Sequence, residues 1–217
     1  MAPPATDWDC YYAKPAATAH LTRRLTERRL LALLRTALGQ REALSVCELG
    51  GANSCFAAAF LEALPIRSYR IIDTNARGLA LLATRFGDDA RVTWEHGDVL
   101  TPDPAHAGRY DLVYSVGLIE HFDPVGTRRG IATHLDYCRP GGLVLMTFPT
   151  PTRLYRGLRA LLEAASLWDF PDERPLGFDE VLGSLAGRGE LLHRSINWPI
   201  LLTQGLVAVR AGGAHRD

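Results

Sequence analysis

The sequence carries no net charge and no long apolar run, and each absence excludes a class of protein. Its 24 basic residues balance 24 acidic ones, whereas proteins that bind nucleic-acid backbones usually carry a basic excess. No uninterrupted apolar stretch approaches the roughly 18 residues of a membrane-spanning helix, and the first residues lack the charged-then-apolar pattern of a signal peptide. We therefore predict a cytoplasmic protein that binds neither nucleic acid nor a membrane.

Cysteine is scarce and scattered. The four cysteines, Cys10, Cys47, Cys55 and Cys138, form no CxxC pair and have no histidine at ligand spacing. Because zinc sites and disulfide frameworks depend on such spacing, the sequence predicts neither, and we expect no metal. Cys47 lies inside an apolar run and is expected to be a small buried side chain.

From residue 44 onward, short apolar runs alternate with amphipathic segments. The predicted strands cover 44–49, 69–73, 91–97, 110–116, 142–148 (preceded by a turn at 139–142), 189–197 and 205–211. The predicted helices cover about 16–38, 53–64, 75–86, 124–138, 151–167 and 178–187. This rhythm implies parallel strands joined by right-handed crossovers, with a late antiparallel hairpin. The sequence therefore predicts a doubly wound, Rossmann-like α/β fold, with a mostly parallel seven-stranded sheet, an antiparallel last strand and an N-terminal helical cap.

We divide the chain into an N-terminal arm and helical cap, 1–40, and a Rossmann-like domain, 41–217. Residues 1–15 are rich in proline, alanine and aromatic side chains and are expected to be irregular, and Gly39 ends the helix that follows them. An insertion around 149–180 interrupts the strand–helix rhythm and is rich in aromatic residues. It is the candidate lining of a substrate pocket.

The residues that follow the predicted strands are candidate ligand contacts, because open parallel sheets bind ligands beyond the carboxyl ends of their strands. Gly50 and Gly51 follow the first strand, where glycine lets the backbone approach a ligand. Asp73 ends the second strand, close to the spacing of about 20 residues at which a carboxylate accepts hydrogen bonds from ribose hydroxyls. Asp98 follows the third strand and is placed to accept a hydrogen bond from the amine of an adenine.

With these features, residues 44–149 resemble class I S-adenosylmethionine-dependent methyltransferases, in particular the broad small-molecule, type 11-like group. The resemblance is carried by CELGG at 47–51, IIDTN at 71–75, HGDVL at 96–100, YSVGLIEHF at 114–122 and RPGGLVLMTFP at 139–149. One departure is the loop Glu-Leu-Gly-Gly-Ala-Asn-Ser, in which Ala52 stands where the family usually has a glycine.

The resemblance implies that the cofactor is S-adenosylmethionine. The glycine loop then lies along its methionine part, Asp73 holds the ribose, Asp98 holds the adenine, and Val99 lies beside the adenine ring. The full set of expected cofactor-binding residues is Tyr12, Glu48, Gly50, Gly51, Ala52, Asn53, Asp73, Thr74, Asp98, Val99, Ser115 and Val116.

His121, just beyond the fourth strand, is the candidate catalytic residue. Methyl transfer from a sulfonium is a displacement in which the enzyme aligns and desolvates the reactants. A neutral imidazole at this end of the sheet is placed to accept a proton from a hydroxyl or amine acceptor. The alternative is that His121 caps a helix or shapes the pocket floor. Glu120 and His134 are weaker candidates, and His134 is expected to be structural because it lies within a helix.

The acceptor is expected to be a small molecule, methylated on oxygen or nitrogen rather than carbon. Ser115–Gly117 stands where nucleic-acid amine methyltransferases carry an (Asp/Asn)-Pro-Pro-(Tyr/Phe) motif and where magnesium-dependent catechol enzymes carry an aspartate. Aromatic side chains in the arm and the insertion either line a pocket for a planar or apolar acceptor or form local core. They are Trp8, Tyr11, Tyr12, Tyr155, Trp168, Phe170 and Phe178.

Two alternatives remain from the sequence. A short-chain dehydrogenase is disfavoured because Lys14, the only lysine, has no tyrosine four residues before it. A non-catalytic S-adenosylmethionine-binding module is kept open by the loop departure at Ala52. Such a module would hold a partner through the arginines of the first helix, which otherwise form a solvated face. These are Arg23, Arg24, Arg28 and Arg29. Both a monomer and a homodimer are compatible with the sequence.

Overall fold

The computed structural model describes residues 4–13, 19–39, 41–198 and 202–212. Within them, seven strands form one sheet in the order β3-β2-β1-β4-β5-β7-β6. The strands are β1 (Leu44–Leu49), β2 (Ile66–Asp73), β3 (Val92–His96), β4 (Tyr110–Val116), β5 (Cys138–Pro149), β6 (Gly189–Asn197) and β7 (Gln204–Ala211). The strand order reverses between β1 and β4, where ligands of doubly wound sheets bind.

The first five strands pair in parallel, whereas β7 pairs antiparallel with both β5 and β6. The late hairpin therefore inserts its second strand next to β5 and leaves β6 at the edge of the sheet. Of the seven described strands, only the last, β7, is antiparallel to the others. The predicted doubly wound α/β fold is confirmed.

Seven α-helices accompany the sheet in the described part of the chain. They are α1 (Trp8–Ala13), α2 (Ala19–Leu38), α3 (Ala57–Ala63), α4 (Ala76–Phe86), α5 (Pro124–Tyr137), α6 (Arg153–Ala164) and α7 (Phe178–Gly183). Short 3-10 turns precede β4 and follow it, at Pro104–His106 and Ile119–His121.

The helix α1 corrects the prediction of an irregular arm over residues 1–15. The Asp7 carboxylate accepts a hydrogen bond from the Cys10 backbone N–H at 2.9 Å, which satisfies a donor at the start of the helix. The Tyr11 N–H donates to the Asp7 carbonyl at 3.0 Å. The predicted arm extends at both ends into 1–3 and 14–15, which lie outside the described residues.

Several element boundaries differ from the predicted ones, among them the start of β2 at Ile66, the bounds of α6 and the end of α7, and two of the differences have a clear local cause. The helix α3 begins at Ala57 rather than residue 53, because Asn53 has a φ of 54° and Ser54 Oγ accepts the Ala57 N–H at 3.1 Å. The strand β5 begins at Cys138 and includes the segment predicted as a turn. Gly141, with a φ of 73°, accommodates an irregularity in its pairing with β4 instead.

The core covers both faces of the sheet. On one face, Leu30, Leu34 and Leu38 of α2 pack in the same buried cluster as β1 and β2. The helical cap therefore shares its core with the Rossmann-like domain. Cys47 lies fully buried in the cluster on the other face, as predicted. Among the helices that the structure describes, none combines the length and apolar character needed to cross a membrane.

Candidate functional site

A cavity of about 370 Å³ opens beyond the carboxyl ends of the parallel strands. The loop after β1, the end of β2 and the loop after β3 form one half of its lining. The other half comes from the 3-10 turn after β4, from α1 and from the segment before α7. Its volume lies within the range of about 300–1,000 Å³ typical of small-molecule sites.

The loop after β1 has no room for side chains at its two glycines. Gly50 has a φ of 70°, and a Cβ there would lie 2.8 Å from Leu118 Cδ1. A Cβ on Gly51 would lie 2.6 Å from Glu48 Cγ. The bare backbone faces the cavity, so a ligand can contact the main chain of this loop.

Asp73 lies beside that loop and is tied to it. Its Oδ2 accepts the Ala52 N–H at 2.9 Å, and its Oδ1 accepts the Asn75 N–H at 2.7 Å. Burial raises the pKa of Asp73, although these backbone hydrogen bonds act in the opposite direction. The Tyr12 ring packs over Gly78, where a Cβ would come within 2.9 Å of Tyr12 Cε2. The carboxylate therefore faces the cavity beneath the helix α1.

Glu48 forms the buried floor of this half of the cavity. The Tyr69 hydroxyl donates to Glu48 Oε2 at 2.8 Å, and the Tyr69 and Tyr114 hydroxyls form a short hydrogen bond with each other. Burial raises the pKa of Glu48 to about 7, while hydrogen bonds from Ser54, Tyr69 and Tyr114 act in the opposite direction. The side chain is thereby held in a fixed orientation behind the glycine loop.

His121 lies at the other end of the cavity, where its orientation is set by Asp172. His121 Nδ1 and Asp172 Oδ1 are 3.0 Å apart. Asp172 also accepts the Thr6 N–H at 3.1 Å and a short hydrogen bond from the Thr6 hydroxyl. Burial lowers the pKa of His121, and the Asp172 carboxylate opposes that shift. With Nδ1–H donating to Asp172, the neutral ring has a lone pair on Nε2.

Two more carboxylates lie beside His121. Glu120 is 1% exposed, and its Oε2 has no hydrogen-bond partner among the described residues. Glu173 accepts a short hydrogen bond from the Tyr155 hydroxyl, and burial raises the pKa of Glu173 to about 7. Glu120, His121 and Glu173 each present an N or O atom within 4.8 Å of the others, so they form a candidate cation-binding group.

Aromatic rings enclose this end of the cavity. The Trp8 and His121 ring centroids are 5.0 Å apart, and those of Tyr11 and Phe170 are 5.1 Å apart. Trp168 packs edge-on against both Phe170 and Tyr155. The arm and the insertion thus meet over the site, as the sequence-based pocket hypothesis proposed.

Most residues predicted from the sequence meet at this cavity, but Asn53, Ser115, Phe178 and His134 do not line it. The predicted residues in its lining are Tyr12, Glu48, Gly50, Gly51, Ala52, Asp73, Thr74, Asp98, Val99, Val116 and His121. Asn53 instead accepts a hydrogen bond from Arg85, and Ser115 is fully buried against His134 Nε2 at 2.9 Å. Phe178 packs on Phe148 in the core, with ring centroids 5.8 Å apart.

Sequence reasoning missed Asp172 and Glu173, and it treated Arg23 as part of a solvated face. Arg23 lines the cavity and donates to the Tyr11 hydroxyl at 3.1 Å. The sequence offered one indication of Asp172 and Glu173: the pair lies between Phe170 and Arg174 in the irregular, aromatic-rich segment that was predicted to line the pocket. His134 is structural, as expected: it is fully buried, and desolvation lowers its pKa to about 4.

Replacing Glu120 with glutamine is expected to stabilise the protein. Burial raises the pKa of Glu120 well above its ordinary value of 4.5, and the charge of Glu173 acts in the same direction. A carboxyl whose pKa is raised by folding destabilises the folded state at pH values above its unfolded-state pKa, and the penalty grows as the pH rises toward the folded-state pKa. Glu120→Gln removes this penalty, so we expect the free energy of unfolding to rise by about 1–2 kcal/mol at pH 8.

Urea unfolding of both proteins at pH 8 and pH 5 measures the effect. The gain is expected to shrink at pH 5, where the wild-type carboxyl binds its proton more fully in both states. Glu62→Gln, at an exposed position of α3, is the matched control and should change stability by less than about 0.5 kcal/mol. A Glu120→Gln protein that is less stable than wild type at pH 8 would contradict the assignment of a strained carboxyl.

The geometry is that of a candidate nucleoside-binding site on a doubly wound sheet. Its elements are a glycine loop that exposes its backbone, a carboxylate at the end of β2, and a second one, Asp98, after β3. These residues fit a cofactor that has a ribose and an adenine, because each presents the expected acceptor or open backbone at its strand end.

Comparisons with known proteins agree with this geometry. A family model described as a methyltransferase domain matches residues 46–142, which include the glycine loop, Asp73 and Asp98. Residues 46–142 match this methyltransferase-domain model, and the sheet around them has the fold of solved methyltransferase structures. The predicted family resemblance and the predicted fold are thereby confirmed. No curated protein sequence matches the chain significantly.

Several solved structures share this fold at low sequence identity. The N-methyltransferase NodS from Bradyrhizobium japonicum WM9, in complex with S-adenosyl-L-homocysteine, is 18% identical with a TM-score of 0.64, over 86% of this chain and 87% of that one. Magnesium protoporphyrin IX methyltransferase (ChlM) from Synechocystis PCC 6803, also with bound S-adenosylhomocysteine, is 14% identical with a TM-score of 0.69, over 94% and 93%. The CMeT domain of the citrinin polyketide synthase is 14% identical with a TM-score of 0.67, over 86% and 52%.

Proposed function

We propose that this protein transfers the methyl group of S-adenosylmethionine to an oxygen or nitrogen atom of a small molecule, with His121 as the base. The observation that carries the proposal is one continuous cavity, which joins the nucleoside-binding residues at one end to His121 at the other. When bound, S-adenosylmethionine supplies an electrophilic methyl group on a positively charged sulfur.

The protein's own residues position and desolvate the reactants in this proposal. Asp73 accepts hydrogen bonds from the ribose, Asp98 from the adenine, and the loop at Gly50 and Gly51 contacts the remaining chain of the cofactor. The helix α1 covers the site, which supports the role of residues 1–40 as a cap on the Rossmann-like domain. Exclusion of water by such a cover strengthens electrostatic interactions within the site.

His121 is suited to accept a proton from the acceptor. Its lowered pKa leaves the imidazole neutral at pH 7, and the bond to Asp172 directs the free Nε2 lone pair away from that carboxylate. Asp172 also stabilises the imidazolium that forms. A small acceptor rather than a nucleic acid is supported by the zero net charge.

The non-catalytic alternative has no specific observation in its favour. That alternative was motivated by Ala52, which stands where the family usually has a glycine. The fold accommodates this alanine, because its side chain is buried and its backbone N–H bonds to the proposed ribose ligand Asp73. The loop therefore keeps an ordered connection to the cofactor site with an alanine in this position.

The proposed function is tested by calorimetric titration with S-adenosylmethionine and S-adenosylhomocysteine, followed by single-turnover transfer of a tritiated methyl group to candidate acceptors. We expect micromolar binding of both ligands and transfer to at least one oxygen or nitrogen acceptor. Absence of binding for both ligands would refute the proposal. Binding without transfer to any acceptor of a broad library would favour the non-catalytic module.

A further inference from the structure

The acceptor end of the cavity brings together two buried carboxyl groups, and neither forms an ion pair with an arginine or lysine among the described residues. Glu120 and Glu173 both line the cavity, and the Glu120 carboxylate is almost completely removed from solvent. Its unpartnered Oε2 is costly, because a buried acceptor without a hydrogen bond loses its hydration without compensation. A ligand that donates a hydrogen bond or carries a positive charge at this point would pair with the carboxyls and compensate Glu120 Oε2 for its lost hydration.

The neighbouring arginines do not form ion pairs with these carboxylates. Arg174 donates its backbone N–H to the Glu120 carbonyl, but its guanidinium pairs with Glu180 at 2.8 Å. Arg159 donates to the backbone oxygen of Glu173 at 2.7 Å and pairs with Glu163. His121 is close to both carboxylates, but its lowered pKa keeps the ring neutral at pH 7. Both carboxyls are therefore open to pairing with a cationic ligand.

The surrounding side chains favour an organic cation over a metal ion. Trp8, Phe170 and Trp168 close the same end of the cavity with ring faces and edges. Aromatic faces attract ammonium groups and pack against the carbon atoms attached to them, whereas hard divalent cations require six or more oxygen ligands. The Tyr155 hydroxyl also occupies one oxygen of Glu173, which leaves a sparse ligand set for a metal.

We propose that the methyl acceptor is an amine, bound as its ammonium ion between Glu120 and Glu173 and packed against the aromatic rings of Trp8, Phe170 and Trp168. This inference rests on the proposed methyl-transfer function and narrows its acceptor to one chemical class. It replaces the sequence-based expectation of a planar or apolar acceptor by one that combines an apolar body with a cationic nitrogen.

The reaction then balances without any further reactant. The ammonium nitrogen gives one proton to His121 Nε2 and becomes a neutral amine with a free electron pair. That pair forms the N–C bond to the methyl group, while the S–C bond breaks and its electron pair stays on sulfur. The product is a methylammonium ion, whose charge Glu120 and Glu173 again hold, and the proton on His121 passes to solvent.

Binding measurements test the inference independently of turnover. The protein is first saturated with S-adenosylhomocysteine and then titrated by calorimetry with matched amine and alcohol pairs. The pairs are 2-phenylethylamine with 2-phenylethanol and tryptamine with tryptophol. We expect each amine to bind with a Kd at least tenfold lower than that of its alcohol, because only the ammonium ion carries the charge that the two carboxylates attract.

Substitutions test whether Glu120 and Glu173 cause the preference for amines over alcohols. Glu120→Gln and Glu173→Gln are each expected to weaken amine binding at least tenfold and to leave alcohol and S-adenosylhomocysteine binding within twofold. The exposed control Glu62→Gln should leave all three unchanged. Thermal unfolding of each variant verifies that it is folded, and Glu120→Gln is expected to be at least as stable as wild type.

The outcomes separate the inference from the function on which it rests. A protein that binds no S-adenosylhomocysteine contradicts the proposed function itself. A protein that binds it but shows no preference for either amine, or binds neither, contradicts only the amine inference. Micromolar binding of Mg²⁺ or Zn²⁺ that disappears in Glu120→Gln would overturn the inference in favour of a metal centre.

Discussion

The variant His121→Gln is expected to lower kcat for methyl transfer by roughly 10²–10⁴-fold, the range typical of the loss of a positioned general base. Glutamine retains a side-chain N–H that can donate to Asp172, so the surrounding hydrogen bonds persist while the basic nitrogen is lost. Affinity for S-adenosylhomocysteine should stay within twofold, because His121 lies at the acceptor end of the cavity. Steady-state rates with the acceptor that the wild-type enzyme methylates fastest provide the measurement.

The pH dependence distinguishes a base from a structural histidine. Because burial lowers the pKa of His121 below 6.5, its ring is neutral at pH 7 and becomes protonated only in more acidic solution. The wild-type rate should therefore hold near pH 7 and fall as the pH drops through that lowered pKa, and the residual rate of His121→Gln should lack this step. The matched control is His193→Gln in β6, where the imidazole bonds to Ser195 at 2.8 Å and lies outside the lining of the cavity. A His121→Gln enzyme with wild-type kcat would eliminate the proposed base.

The variant Asp73→Ala is expected to raise the Kd for S-adenosylhomocysteine by roughly 10–100-fold. Hydrogen bonds to a charged group contribute about 1.5–3 kcal/mol, and each 1.4 kcal/mol is a factor of ten in affinity. Two effects combine, because Asp73 is the proposed ribose ligand and also accepts the Ala52 N–H that orders the glycine loop. Calorimetric titration of the purified variant measures the change.

Two further variants resolve those effects. Asp73→Asn keeps an oxygen for the Ala52 N–H but can offer no second oxygen acceptor to the ribose, so we expect it to lie between wild type and Asp73→Ala. Asp88→Ala, in the exposed turn after α4, is the control and should bind as wild type does. Equal affinity of wild type and Asp73→Ala would exclude the proposed ribose contact.

The fold and the cofactor half of the site were predictable because both depend on local periodicity. The strands β1, β2 and β3 are each closed by glycine or aspartate, and parallel pairing brings those closing residues to one edge of the sheet. Gly50, Asp73 and Asp98 therefore met as expected. Ser115 does not reach the cavity, because β4 is buried on both faces and the Ser115 side chain points toward α5, where it contacts His134.

The acceptor half was predictable only in outline. The aromatic residues of the insertion indicated a pocket. The positions of Asp172 and Glu173, however, depend on contacts with residues distant in sequence, namely Thr6, His121 and Tyr155. Such contacts have no periodic signature, because irregular segments take their conformation from what they pack against. The start of α1 was missed for a related reason, since its cap is a single aspartate, Asp7, in a stretch otherwise dominated by alanine and aromatic residues.

Thr6 connects the entrance of the site to its chemistry. The residue precedes α1, which covers the nucleoside pocket, and both its N–H and its hydroxyl bond to the carboxylate that orients His121. A displacement of this segment that opens a path for the spent cofactor also removes two of the hydrogen bonds that hold Asp172. The position of Thr6 and the alignment of the His121 imidazole are therefore linked through Asp172.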